Sequence, residues 1–273
     1  MPGNRFTVIG GAGFIGSLLA SYLRSSGSIC TTPAKGDLKS LGRELGHVLY
    51  CAGTTADFRT RPFETVDAHV SLVNHVLARS RYQSFTYLSS TRVYIRTKTT
   101  SESTPIMVDP GDPEDLFNLS KLAGEALCRQ YRDRNARSVR LSNVVGANFG
   151  SNDFLFSVIR DAVIRKHVVL QTTPDSEKDY IHCDDAVELI TRIATQGTQP
   201  VYNVACGMNL TNSDIIGEVC RGSGASATFS PEARTIRFTP IEVGLIQSEF
   251  GFNARPVLPF IHELTLSAMA SPG

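Results

Sequence analysis

The sequence predicts an α/β fold built on a doubly wound parallel sheet, with a smaller C-terminal part. Three observations predict it: a glycine-rich turn between an apolar strand and a helix, strands that alternate with helices, and a later region of helices interspersed with short strands. Alternation of this kind favours parallel strands, because each crossover helix returns the chain to the same edge of the sheet. Ligands of such sheets bind beyond the carboxyl ends of the strands.

The opening stretch "RFTVIGGAGFIGSLLASYL" reads as strand, tight turn and helix. The apolar run 6–9 suits a buried parallel strand, and the residues after the glycines have helical spacing. Three glycines follow the pattern GxxGxxG, which permits a turn, a close approach of phosphate and tight packing of helix on strand. The first amide groups of the helix would hold a pyrophosphate. The predicted dinucleotide-binding residues are Gly10, Gly13, Phe14, Ile15 and Gly16.

The second strand is where this Rossmann-type pattern is irregular. An acidic residue for the adenosine ribose should follow ~20 residues after the glycines, at the end of the second strand. The sequence has Cys30, Thr31 and Thr32 there, and the next acid is Asp37. Because the strand "HVLYCAG" has already begun by Val48, we expect one strand–helix unit to be missing or abbreviated. Asp37 is the candidate ribose ligand.

Composition excludes several classes of function. The 273 residues are 41% hydrophobic and 19% charged, with a formal net charge of +1, which predicts no nucleic-acid partner and no anionic membrane surface. The six cysteines form no CxxC pair or metal-ligand cluster, so we predict buried free thiols and no metal site. No run of ~18 apolar residues could cross a membrane. A cytoplasmic protein is expected.

Two helices are predicted in the middle of the chain, before and after the strand "SFTYLSS". Each helix is expected to pack its apolar stripe against the sheet. The first stripe comprises Val66, Val70, Val73 and Leu77. The second comprises Leu119, Leu122, Ala123, Ala126 and Leu127.

Six blocks from residue 5 to about residue 205 resemble the extended short-chain dehydrogenases/reductases that act as nucleotide-sugar epimerases and dehydratases. They are "GGAGFIG", "YLSSTRVY", "NLSKLAGEAL", "VRLSNVVGANFG", "KDYIHCDDAVELI" and "VYNVACG". The resemblance implies a dinucleotide-binding domain over 1–145 and a smaller substrate-binding part over 146–273, with about 180–205 returning to the first. It also implies a homodimer through helices near 66–79 and 117–134.

The family's chemistry implies roles for individual residues. Members oxidise a sugar hydroxyl by hydride transfer to nicotinamide, using a tyrosine base, a serine or threonine, and a lysine that lowers the tyrosine pKa. Ser90 and Lys121 match the serine and the lysine, but Phe117 occupies the tyrosine position. Tyr94 is the nearest substitute in sequence; the alternative is that it packs under its loop.

The resemblance also implies the ligand contacts. Ala52, Gly53 and Lys121 are expected to contact the cofactor, which is NAD by resemblance with NADP left open. Thr91, Asn143 and Lys178 are the expected ligands of a nucleoside-diphosphate sugar. His69 replaces an asparagine usual in the family.

Two functions remain open from the sequence. The first is an atypical NAD(P)-dependent epimerase or dehydratase that acts on a nucleoside-diphosphate sugar without the usual tyrosine base. The second is a catalytically inactive relative that binds dinucleotide or nucleotide sugar as a sensor or structural subunit. An RNA-binding relative is disfavoured, because no basic patch interleaved with aromatic residues is present.

Overall fold

The computed structural model describes residues 3–54, 58–151 and 153–270. Its strands are β1 (Arg5–Ile9), β2 (Ile29–Thr31), β3 (His47–Tyr50), β4 (Ser84–Ser90), β5 (Ala136–Leu141), β6 (Asn143–Val145), β7 (His167–Thr172), β8 (Glu177–His182), β9 (Val201–Val204), β10 (Asn209–Thr211) and β11 (Ser226–Arg234). Its α-helices are α1 (Phe14–Ser25), α2 (Pro62–Val66), α3 (Leu72–Arg79), α4 (Asp115–Gln130), α5 (Phe154–Arg165), α6 (Cys183–Gln196), α7 (Asn212–Ser223), α8 (Gly244–Phe250) and α9 (Val257–Ala270).

Six parallel strands form the central sheet, in the order β2-β1-β3-β4-β5-β9. Helices cover both faces, as the predicted doubly wound fold requires, and the fold prediction is confirmed. Successive side chains of a strand point to opposite faces, so each strand contributes to two cores. Phe6 and Val8 pack with α1 and α6, whereas Val48, Tyr50 and Tyr87 pack with α3 and α4.

The later part of the chain adds a core that is separate from the two on the faces of the central sheet. Two small sheets, β10-β8-β6 and β11-β7, lie with α5, α7 and α9 around residues such as Phe156, Ile215 and Ile261. Within this part, α6 packs against the central sheet and β9 pairs with β5 as its outer strand. The chain therefore returns to the large sheet before it builds β10 and β11.

The early sheet is short at one edge. β2 has three residues and pairs only with β1 among the described strands, and the loop from 32 to 46 contains one 3-10 turn, Ser40–Gly42. No further strand lies outside β2 in this fully described stretch. One strand–helix unit of a complete Rossmann half is thus absent, and β2 itself is abbreviated.

A π-helical turn, Asp67–Ser71, joins α2 to α3 and changes which side chains face inward. One extra residue in the turn rotates the preceding helical face away from the sheet. Val66, expected on the apolar face, is 40% exposed, while His69 is fully buried. The prediction for Val66 is therefore wrong, and a polar side chain takes the inner position.

The predicted apolar stripe of α4 is not its buried face. The leucines of that stripe are half-buried and Ala126 is exposed, whereas Phe117, Lys121 and Glu125 are buried. Buried charges require partners. Strand groups provide them here: the carbonyl oxygen of Leu88 accepts from Lys121, and Arg140 pairs with Glu125.

All six cysteines are free thiols, as predicted. Burial was predicted for them as a class and is correct for Cys128 and Cys183, while the other four are half-buried. Across residues 3–54, 58–151 and 153–270, no helix combines the length and apolar character needed to cross a membrane.

Candidate functional site

The glycine loop after β1 has the form of a phosphate cradle. Gly10 has φ +87°, and a Cβ atom there would lie 2.6 Å from the backbone nitrogen of Ala52. A Cβ atom on Gly16 would lie 2.2 Å from the carbonyl oxygen of Gly10, so both positions require glycine. Gly13 is less constrained and directly precedes α1, whose first turn has no side-chain cap. The amide groups of this first helical turn, which follow Gly13, are available to bind an anion.

The end of β2 carries a threonine where an acid is usual. A Cβ atom on Gly11 would lie 2.6 Å from Cγ2 of Thr32, which places Thr32 directly against the glycine loop. Arg24 of α1 approaches it, with Nη2 3.5 Å from Oγ1 of Thr32. Asp37 lies further along the loop, exposed, where its carboxylate accepts from the backbone nitrogen of Ser40. Bonds from Ser40 lower the pKa of Asp37.

Lys121 is buried at the carboxyl ends of the central strands. Its Nζ donates to the carbonyl oxygen of Leu88 at 2.8 Å and lies 5.8 Å from the centre of the Phe117 ring. A Cβ atom on Gly53 would lie 3.4 Å from this nitrogen, so Gly53 leaves the space beside it open. Burial lowers the pKa of Lys121 to about 8. The side chain is therefore mainly an ammonium at pH 7, with the amine as a minor form that grows as the pH rises toward 8.

His69 has a buried nitrogen beside Lys121 that no described protein group satisfies. Its Nδ1 lies 2.8 Å from Oγ of Ser120, and that hydroxyl donates to the carbonyl oxygen of Phe117. Since a serine has one hydroxyl proton, Nδ1 is the donor and Nε2 is left as an acceptor. Nε2 is the atom without a partner, and it faces Gly53. Burial and, secondarily, Lys121 hold the pKa of His69 at about 3.

Phe117 lies inside an aromatic cluster. Its ring centre is 5.5 Å from that of Phe58 and 5.6 Å from that of His69. The guanidinium carbon of Arg92 lies 5.6 Å from the same ring. Phe117 is buried and has no ionisable group, so this position cannot transfer a proton.

Ser90 ends β4, and its side chain caps the short 3-10 turn that follows. Its Oγ accepts from the backbone nitrogen of Arg92 at 3.2 Å, which leaves its hydroxyl proton for another acceptor. Ser90 is half-buried, and Thr91 next to it is buried. Both therefore lie at the strand ends with Lys121, which donates to Leu88 of the same strand.

Tyr94 is buried under the loop that follows it in the chain, where its hydroxyl also lies 3.2 Å from the carbonyl oxygen of Ser101. Its hydroxyl donates to Oδ1 of Asn203 at 2.9 Å and accepts from Nη1 of Arg140 at 2.7 Å. Burial raises the pKa of Tyr94. These contacts hold it as part of a buried polar network.

Two predicted substrate ligands lie on β6 and β8. Asn143 is exposed, and its amide donates to the carbonyl oxygen of Asp179 at 2.8 Å, leaving its oxygen free for a ligand donor. Lys178 is half-buried, with Nζ 5.1 Å from the Phe154 ring. Burial and the charge of Arg92 lower the pKa of Lys178.

The sequence patterns missed an arginine and its carboxylate partner. Arg92 contacts both Phe58 and Phe117, and its Nη2 lies 2.9 Å from Oε2 of Glu114, which also binds Arg59. The signal was present in "SSTRVY", where a cation follows Ser90 by two residues.

One group of possible metal ligands occurs among the described residues, at the start of α6: His182, Cys183 and Asp184. Nδ1 of His182 accepts from the backbone nitrogen of Asp184 and so caps the helix. We assign this group a capping role.

The fold and the glycine loop define a dinucleotide-binding α/β protein. Comparison with known families identifies the family to which it belongs. The NAD dependent epimerase/dehydratase family model matches residues 6–205. The chain belongs to that family.

Individual relatives are distant. An uncharacterised epimerase/dehydratase of Staphylococcus haemolyticus is 24% identical over 175 residues, which span 58% of this chain and 55% of that protein. The match thus covers about half of that relative's length.

Two solved structures share the fold over 97% of this chain. TunA, an NAD-dependent NDP-hexosamine 5,6-dehydratase of tunicamycin biosynthesis, is 21% identical with a TM-score of 0.79, over 97% of its own chain. MoeE5, in complex with UDP-glucuronic acid and NAD, is 20% identical with a TM-score of 0.78, over 99% of its own chain.

Proposed function

We propose that this protein is an NAD(P)-dependent enzyme of the epimerase/dehydratase type that acts on a nucleoside-diphosphate sugar without the usual tyrosine base. The observation that carries the proposal is Lys121, a buried lysine whose Nζ donates to the carbonyl oxygen of Leu88 at the strand ends. Beside it lies Nε2 of His69, which has no hydrogen-bond partner among residues 3–54, 58–151 and 153–270. Keeping a charged side chain buried is costly unless a ligand uses it. Family membership supports the same reading.

The described residues fit a dinucleotide. The amides after Gly13 would hold its pyrophosphate, and Lys121 with Nε2 of His69 would bind hydroxyl groups of its nicotinamide ribose. Ala52 and Gly53 border the same space. When bound, the dinucleotide supplies a hydride acceptor. NAD is the default, and the Thr32–Arg24 contact in place of an acid leaves NADP open.

On the substrate side, Asn143 and Lys178 would bind the diphosphate and Thr91 the sugar. The structure of MoeE5 holds UDP-glucuronic acid, and TunA is a dehydratase of an NDP-hexosamine, which supports a nucleotide sugar for this chain as well. Lys178 provides charge but not the two-pronged contact of an arginine.

The proton of the substrate hydroxyl needs an acceptor other than Phe117. Ser90 would orient the reacting oxygen through its free hydroxyl proton. Among the side chains around the Phe117 ring, Lys121 has a pKa that burial lowers to about 8, so we assign its amine form the acceptor role. Tyr94 is the weaker candidate, because its hydroxyl is engaged with Asn203 and Arg140.

A second function is favoured by Phe117 itself. A buried phenylalanine at the base position suits a protein that binds dinucleotide or nucleotide sugar without turnover, as a sensor or structural subunit. The two functions share the same ligands and differ in whether the bound nucleotide sugar is converted.

The experiment that separates them is a single-turnover assay. Protein loaded with NAD or NADP is mixed with a panel of nucleotide sugars, and nicotinamide reduction is followed by absorbance. Reduction, or conversion of the sugar seen by chromatography, supports the enzyme. Tight binding of both ligands with neither change supports the inactive binder.

We also propose a homodimer through the helices near 66–79 and 117–134. The outward position of the half-buried leucines of α4 supports it, as does Phe63 of α2, which is 86% exposed. Light scattering that shows only a monomer would contradict this proposal.

A further inference from the structure

The guanidinium of Arg92 lies beside the residues at the family's serine and tyrosine positions, Ser90 and Phe117. The guanidinium carbon of Arg92 is 5.6 Å from the Phe117 ring centre and 5.1 Å from that of Phe58. Its backbone nitrogen donates to Oγ of Ser90. In the proposed function Phe117 and Ser90 mark where the sugar hydroxyl would react, so Arg92 would lie near the sugar ring.

Arg92 has hydrogen-bond donors to spare. A guanidinium carries five N–H groups, and the described acceptor of this side chain is one oxygen of Glu114, at 2.9 Å. Glu114 is shared with Arg59, and its side chain is 43% exposed. This ion pair is half-buried, with the side chain of Arg92 28% exposed, and one carboxylate oxygen leaves most of the guanidinium donors for a ligand oxyanion.

Lys178 is a second cation on the proposed substrate side. Lys178 is half-buried, and its ammonium has no hydrogen-bond acceptor among residues 3–54, 58–151 and 153–270. Burial and the charge of Arg92 lower the pKa of this ammonium, and the charge of Asp153 opposes them in part.

The two cations have different positions relative to the reacting end. Lys178 has the diphosphate role in the proposed function, while Arg92 contacts the ring of Phe117. A planar guanidinium matches a carboxylate with two parallel hydrogen bonds. We propose that Arg92 binds a carboxylate on the sugar ring, so that the substrate is a nucleoside-diphosphate-linked uronic acid. This inference rests on the proposed function.

The test is titration calorimetry with two matched ligand pairs: UDP-glucuronic acid with UDP-glucose, and GDP-mannuronic acid with GDP-mannose. We expect the native protein to bind the uronic acid of at least one pair about tenfold or more tightly than its neutral partner, as a charged hydrogen bond predicts. Arg92→Gln should abolish this preference, and Arg92→Lys should keep part of it. Thermal melting checks that each variant is folded.

Arg59→Gln is the matched control. Arg59 also binds Glu114 and lies 4.5 Å from the Phe58 ring, but it is more exposed than Arg92. This variant should retain the preference for the uronic acid.

Three results would overturn the inference. Equal binding of both members of each pair by the native protein would remove the carboxylate site. An equal loss of affinity for both members in Arg92→Gln would place the diphosphate at Arg92 instead. Failure of all four ligands to bind would contradict the proposed function itself, and with it this inference.

Discussion

Nζ of Lys121 donates to the carbonyl oxygen of Leu88 at 2.8 Å, which fixes a buried cation at the carboxyl end of β4. This bond joins the family's lysine position to the strand that ends in Ser90. It also explains why the inner face of α4 carries a charge in place of the predicted leucine stripe. We propose that cofactor binding depends on this side chain.

We predict that Lys121→Met separates binding from stability. Methionine fills a similar volume without a buried charge, so the melting temperature should stay the same or rise. Binding of NAD and NADP should fall about tenfold or more, because the hydrogen bonds of the ammonium to the ligand are lost. Thermal melting and calorimetric titration measure the two effects. Unchanged binding would show that Lys121 does not contact the cofactor.

The pH dependence follows from the same residue. Burial lowers the pKa of Lys121 to about 8, from the ordinary lysine value of 10.5. Between these values the unfolded chain binds more protons than the folded one, so the contribution of Lys121 to stability rises with pH in this window. Cofactor affinity should fall over the same range, because the ammonium is lost. Melting and titration at several pH values should show opposite trends that disappear in Lys121→Met.

Phe117→Tyr should restore a base. A hydroxyl at this position would lie near Lys121, whose charge lowers a tyrosine pKa, and general base catalysis is worth ~10²–10⁴-fold. We expect faster reduction of bound nicotinamide by nucleotide sugars. Phe58→Tyr is the control, since it adds the same hydroxyl to the neighbouring buried ring. No gain in Phe117→Tyr would indicate that the rest of the site has also diverged.

Gly13→Ala tests the phosphate cradle. A Cβ atom there would lie 3.4 Å from the carbonyl oxygen of Gly10, and the φ of Gly13 is −76°, so alanine fits the fold. The methyl group would stand where the phosphate approaches the backbone. We expect near-native melting and weakened dinucleotide binding. Gly217→Ala, in α7 with open space around it, should leave binding unchanged.

Tyr94→Phe distinguishes a buried network from a catalytic role. Loss of the hydroxyl leaves Oδ1 of Asn203 without this donor and should cost ~1–3 kcal/mol in the free energy of unfolding. Cofactor binding and any turnover should remain. A variant that is as stable as the native protein but inactive would instead assign Tyr94 the role of the base.

The glycine loop and the strand–helix order could be predicted because each depends on local spacing. Gly10 and Gly16 are required by contacts with the adjacent turn and strand, and such contacts leave a pattern in the sequence. The shortened region after β2 was also predictable, because too few residues separate the second strand from the strand that has begun by Val48.

The inner faces of the helices could not be predicted in the same way. The buried positions of Lys121 and Glu125 depend on acceptors and donors from β4 and β5, which the pattern of α4 does not contain. The position of His69 depends on a π-helical turn, which has no clear sequence signal. Arg92 joins the site because a short turn after Ser90 directs it toward Phe117.

The most direct test of the central claim is mass spectrometry of the small molecules released when the purified protein is denatured, followed by titration of the ligand-free protein with NAD(H) and NADP(H). We predict one of these dinucleotides in the released material, or clear binding on titration. Lys121→Met and Gly13→Ala should each release less dinucleotide and bind it more weakly. A native protein that releases no dinucleotide and binds none would contradict it.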